Sequence, residues 1–195
     1  MIRALLLAGV LAVAAGCASA VGLDVGYPAG GVNRATLASA SPRRVTLGPV
    51  VDRRRETRLG VDPERKKDIV ARRPVADIVR DALALEIGAN GHALDGAGGA
   101  DVALAADVEE FRLDVVRGYS NAQFVGKIVL ALAVTDARTG TRLLDRRYVG
   151  IHRREAELES ETAGREALDT ALARTMHDLA TDPDLARAFA RAAAR

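Results

Sequence analysis

The side chains able to do chemistry recur in this chain at few useful spacings. His92, His152 and His177 are its three histidines, and no two have the spacing of a metal site. With Cys17 as the single cysteine, no thiol pair can complete one, and no internal disulfide can form. His152 stands beside Arg153-Arg154 and His177 beside Asp178, so all three histidines read as surface or boundary residues. No Gly-x-Ser-x-Gly elbow and no Ser/His/acid set is recognisable. Asp107 and Glu109-Glu110 are the best paired carboxylates for acid–base work, but on a strand 107 and 109 share one face, which reads as solvated. Gly96-Ala97-Gly98-Gly99 is glycine-rich like a phosphate loop, yet it lacks the Lys-Ser/Thr pair and leads into a strand, not a helix. It reads as a turn. No catalytic residue, metal site or cofactor site is therefore nominated.

What remains is arginine. Arg53-Arg54-Arg55 and Arg65-Lys66-Lys67 form the densest basic region, and Asp52, Arg53, Arg54 and Arg58 are the candidate interaction surface. A guanidinium suits bidentate contact with carboxylate or phosphate. The same charges could equally form a solvated loop, with Asp52 pairing to Arg54 or Arg58 and fixing it. Overall charge is balanced, 28 basic against 26 acidic residues, so no field for a nucleic acid is present. Nearly half the 195 residues are apolar but only 3% are aromatic, so the core must be built from Ala, Val and Leu.

The N-terminus carries an address. Arg3 precedes an uncharged apolar run from Ala4 to Ala15, a secretory n-region and h-region too short to span a bilayer as a mature helix. Small residues then lead into the cysteine, and Ala14-Ala15-Gly16-Cys17 resembles the lipobox of bacterial lipoproteins. That resemblance implies residues 1–16 are removed and Cys17 carries diacylglyceryl and palmitate-type acyl chains; an ordinary signal peptide cut near Ala18-Ser19-Ala20 is the alternative. A lone thiol in an oxidising compartment is otherwise an odd choice, and a thioether to lipid removes the oddity. Ala18 in place of Asp after the cysteine is similar to the sorting pattern for the outer membrane of a Gram-negative cell, with the periplasmic face of the inner membrane as the alternative.

Residues 17–41 lack a sustained period and read as a flexible tether, with a short strand at Ala35-Thr36-Leu37. Residues 42–195 form one domain. Val45, Leu47, Pro49 and Val51 mark a first strand, irregular at Pro49, followed by a polar loop or ribbon to Arg73. Pro74 opens a helix whose stripe is Val75, Ile78, Val79, Ala82, Leu83 and Ile87, with Glu86 on the polar side and Gly88 or Gly91 at the end. His92-Ala93-Leu94 is a short strand. From Val102 the period is two, with a phase slip that predicts a bulge near Glu109-Glu110. Gly118–Asn121 turns into a central strand from Phe124 to Val134. Asp136–Gly140 is a hairpin loop, and the partner strand points Leu143, Val149 and Ile151 inward. Helices start near Ser160 and again at Asp182-Pro183. The expected fold class is α+β, a two-layer antiparallel sheet with helices packed mainly on one face.

Strand one with Asp52-Arg53-Arg54, then Leu59-Gly60, then the helix ending at Gly88, resembles the YajG-type outer-membrane lipoproteins. So do the two long strands joined through Asp136 and Thr139-Gly140 with a helix behind them. The resemblance implies a small periplasm-facing α+β lipoprotein and supplies no catalytic residue. The expected function is a membrane-anchored, non-enzymatic accessory or protein-interaction module of the cell envelope. Its partners would be the membrane through Cys17 and an envelope protein or peptidoglycan. A periplasmic hydrolase or lipid-handling protein is the alternative.

Overall fold

The computed structural model describes residues 20–28, 34–94, 99–157 and 160–192. The signal segment, Cys17 and most of the glycine-rich turn at 96–99 lie outside them. The elements are β1 (Val21–Leu23), β2 (Arg44–Asp52), β3 (Gly60–Asp62), β4 (Lys67–Ala71), α1 (Val75–Ala89), β5 (Ala93–Leu94), β6 (Val102–Arg117), β7 (Asn121–Asp136), β8 (Arg142–Glu157), α2 (Glu161–Thr181) and α3 (Pro183–Arg191).

A five-stranded sheet of order β5-β2-β6-β7-β8 forms one layer, and helices α1 and α2 pack on it and on each other. The α+β class is as expected. The sheet is mixed, however, because β2 runs parallel to both β5 and β6. The reason is α1: a helix between two strands carries the chain back to the starting end, so the next strand lies parallel. The later strands, joined by tight turns, are antiparallel throughout. The register slips between Leu47 and Val50, where Pro49 has no N–H to give. It slips again between Val108 and Glu110, which switches the buried set from Val102, Leu104, Ala106 and Val108 to Phe111 and Leu113.

On β8 the inward residues are Tyr148 and Gly150, with Leu143 packed half-buried against the core as expected; Val149 and Ile151 do not face in, and Val149 is 42% exposed. The pairing Leu130↔Tyr148 and Ile128↔Gly150 sets this phase against the helix-facing residues of β7. A Cβ at Gly150 would overlap the Ala171 carbonyl oxygen, so its lack of a side chain is what lets α2 lie close to β8.

Helix α1 buries the expected stripe and ends at Asn90, with Gly91 in the left-handed region at φ 87°. Glu86 is fully buried, contrary to its expected polar side, and its carboxyl accepts from the Tyr27 hydroxyl of the N-terminal segment. The tether expected over 17–41 is thus corrected for its described part. β1 pairs parallel with β4, Leu23 and Val25 are buried, and Gly26 N–H donates to Asp169 at 3.0 Å. Residues Thr36–Ser39 form a 3-10 turn, not a strand, with Leu37 fully buried. An apolar residue at every few positions was enough to dock a segment with no regular period. The polar stretch after β2 also holds more order than a loop, since β3 and β4 form a hairpin that joins β1 in a second, three-stranded sheet.

Candidate functional site

The Arg-rich stretch sits where β2 leaves the edge of β6. Up to Asp52, β2 pairs with β6, and Arg53 N–H still donates to the Val108 carbonyl at 2.9 Å. The chain then loops out and returns at Leu59, whose carbonyl accepts from Leu113 N–H at 2.7 Å. Between these points the β6 edge has no strand beside it. The Arg54 side chain, 8% exposed, fills the gap: its Nη1 donates to the Phe111 carbonyl at 3.2 Å. Its Nη2 and Nε hold both oxygens of Asp52, at 2.7 and 2.9 Å, and Nη2 also reaches the Thr57 carbonyl at 3.3 Å. One planar guanidinium therefore satisfies a strand carbonyl, a loop carbonyl and a carboxylate together, which no other side chain could do.

The rest of the motif follows from the same crossing. Leu59 is buried and bonded on both sides, its N–H to Ile69 at 2.7 Å. A Cβ at Gly60 would overlap the Leu113 carbonyl oxygen, so only glycine permits this approach. Asp52, Arg54, Leu59 and Gly60, the residues that carry the family resemblance, are thus a fastening between the two sheets. Partial burial alone would raise the Asp52 carboxyl, but the hydrogen bonds and charge of Arg54 outweigh it and hold the group below its usual range.

Around this fastening lies a groove of roughly 1050 Å³, walled by residues 53–61 and 109–115. Its charges are matched. Arg53 faces Asp107 at 3.5 Å, and Arg58 bridges Glu56 at 2.7 Å and Asp68 at 3.2 Å. Arg112 lies between Glu110 and Asp114, and Lys127 also holds Glu110, keeping that carboxyl below its usual range. Arg147 takes Glu109 at 2.7 Å. The carboxylates considered for acid–base work are accordingly members of ion pairs. Of the candidate surface, Arg53 and Arg58 are exposed and paired, and Arg54 is withdrawn into the fold. Arg55, part of the basic region but not of the candidate surface, lines the groove and has no ion-pair or hydrogen-bond partner among the described residues.

Two buried polar clusters also lie outside the expected set. Tyr148 donates to Asp182 Oδ2 at 2.7 Å, while Asp182 Oδ1 accepts from Arg146 and from Asp184 N–H, capping α3. Burial and the Asp182 carboxylate push the Tyr148 hydroxyl well above its usual range, so it stays a donor. His92, expected at a boundary, is 3% exposed beneath Phe189, with ring centroids 4.7 Å apart. Its Nδ1 accepts from Arg43 N–H and its Nε2 donates to the Leu37 carbonyl, both at 3.3 Å. Both clusters join segments distant in sequence. Among the described residues no group of three or more His, Cys, Asp or Glu could hold a metal ion, and no helix is long and apolar enough to cross a membrane.

A family model described as uncharacterized lipoprotein matches residues 32–189. No curated protein sequence matches the chain. Among solved structures it is similar to protein XCC0632 from Xanthomonas campestris, with 16% identity and TM-score 0.56 over 83% of this chain and 92% of that one. A candidate lipoprotein from Caulobacter crescentus aligns at 16% identity and TM-score 0.46, over 78% and 90% of the two chains. A minor lipoprotein from Acinetobacter baumannii aligns at 12% identity and TM-score 0.40, over 70% and 91%. At these identities the likeness to XCC0632 is one of fold.

Proposed function

The chain belongs to this YajG-like family of uncharacterized lipoproteins, and on that premise we propose that it is anchored through Cys17 and works as a non-enzymatic interaction module of the cell envelope. The outer membrane, facing the periplasm, is its proposed site, from Ala18 after the cysteine.

The observation that carries this reading is the sheet face turned away from the helices. Ala103 and Ala105 of β6, Val125, Ala131 and Ala133 of β7, and Ile151 of β8 are half-buried there, beside exposed Val149. Strand alternation puts all of them on one side, and the paired charges of the groove border them. An apolar centre with a polar, charge-matched rim is how protein interfaces are built. A charge lattice already satisfied within the chain adds specificity of fit more than raw affinity.

Site-specific photo-crosslinkers at Val149 and at Arg55, placed in the full chain in intact cells, test this. Discrete adducts from both positions, lacking at Arg187 on α3, are the expected result. Identical patterns at all three positions would overturn the assignment of this face.

A further inference from the structure

We propose that one end of the body, built from the β3–β4 turn, the β6–β7 turn and the start of β1, rests directly on the lipid surface. The proposal rests on the anchoring of Cys17 put forward above, and its occupant is a bilayer, not a protein.

The first argument is reach. β1 begins at Val21 and is fastened to β4 through the pairs Val21↔Ile69 and Leu23↔Ala71. Consecutive Cα atoms are 3.8 Å apart, so Ala20 lies at most about 11 Å from Cys17. The polar layer on each side of a bilayer is about 5–8 Å deep. An acylated Cys17 therefore leaves no slack for the body to stand away. Whatever end of the fold Ala20 leaves from must lie at the head groups.

The second argument is what that end carries. β1 starts beside Ile69, close to the β3–β4 turn at residues 63–66, and Arg117 ties Glu64 of that turn to the end of β6 by a 2.5 Å ion pair. The two turns and the chain exit are thus one unit. At its tip Tyr119 is fully exposed and Val116 is 57% exposed, the two most exposed large apolar side chains among the described residues. Behind them a cleft of roughly 310 Å³ is lined by the apolar Val21, Leu23, Ile69, Val115 and Phe124 together with the charged Asp62, Glu64 and Arg65. At a membrane interface a tyrosine ring meets the glycerol and acyl boundary while its hydroxyl stays wet.

The opposite end is the β7–β8 hairpin. β7 has 16 residues. At about 3.4 Å each it puts that hairpin roughly 50 Å away. The uncovered sheet face then stands upright from the membrane, where a partner in the periplasm can reach it.

The chain has no Trp, so one introduced residue reports alone. The full-length lipidated protein with Tyr119→Trp, and separately with Thr141→Trp at the far hairpin, would be reconstituted into phosphatidylethanolamine and phosphatidylglycerol vesicles containing brominated phosphatidylcholine. The expected result is that Tyr119→Trp shifts to the blue and loses most of its emission to the bromines, while Thr141→Trp keeps a water-like spectrum. Vesicle-bound protein with neither position quenched, both equally quenched, or only Thr141→Trp quenched overturns the orientation and leaves the anchor standing. Protein that does not sediment with vesicles at all overturns the anchor and this proposal with it.

Discussion

The hydroxyl of Tyr27 donates to Glu86 Oε2 across 2.5 Å, joining the N-terminal segment to the fully buried side of α1. A carboxylate on the inner face of a helix is costly unless it is well bonded. Here the bond comes from outside the helix, and it makes residues 20–28 part of the core. Asn90 does the same one turn later, its Oδ1 accepting from Ala35 N–H at 3.0 Å and its amide donating to the Glu86 carbonyl.

Tyr27→Phe tests this relationship with almost no change of shape. Leaving a fully buried carboxyl with one hydrogen-bond partner fewer should cost about 1–3 kcal/mol. The urea midpoint should fall, and trypsin should cut at Arg34 faster than in the parent. A midpoint unchanged from the parent would mean that residues 20–28 are dispensable to the fold.

The arginines of the loop after β2 should separate cleanly. Arg54→Gln removes hydrogen bonds to a charged partner and to the β6 edge from a side chain that is 8% exposed, and should cost about 1.5–3 kcal/mol. Arg53→Gln and Arg58→Gln break exposed pairs, with side chains 63% and 41% exposed, and should each cost under about 1 kcal/mol. Equal midpoints for all three variants would show that the fastening is only a surface ion pair.

The periodic elements were legible because their side chains face one layer. The α1 stripe, the bulge after Val108 and the restart at Asp182-Pro183 each follow from spacing alone. What could not be read depends on pairs far apart in the chain. Glu86 looks solvent-facing until Tyr27 covers it, 59 residues away. Arg54 looks like a binding residue until Phe111 supplies the carbonyl it must satisfy, 57 residues on. The phase of β8 was misjudged because apolar Val149 and Ile151 suggested an inner face, when that face belongs to Tyr148 and Gly150. Val149 and Ile151 lie instead on the uncovered side, and a sequence cannot distinguish an apolar residue meant for the core from one meant for a surface.

Acid should loosen the packing around His92. Burial pushes its imidazole below the ordinary value, the Arg43 charge adds to this, and the bond to the Leu37 carbonyl opposes only part of it. Between the folded value and about 6.5 the unfolded chain binds the proton and the native chain does not, so stability falls as pH drops through that window. The geometry agrees, since a protonated Nδ1 could no longer accept from Arg43 N–H. His152, lowered by burial and by Arg174 and Arg154, acts with the same sign. The urea midpoint should drop from about pH 7.5 to about pH 5.5, and less steeply in His92→Gln. An equal drop in that variant would assign the effect elsewhere.

The anchor itself is the remaining test. Three acyl chains, at about 0.8 kcal/mol per buried methylene, make detachment negligible, whereas a single chain binds only reversibly. Cys17→Ser leaves no thiol to acylate, because the chain has no other cysteine. The variant should appear in the soluble envelope fraction, or stay unprocessed at higher mass, while the parent remains with membranes through a carbonate wash. On a density gradient the parent should travel with outer-membrane markers, as Ala18 after the cysteine leads one to expect. If Cys17→Ser still fractionates with membranes and shows the parent's mass, the protein is held there by something other than lipid on that residue.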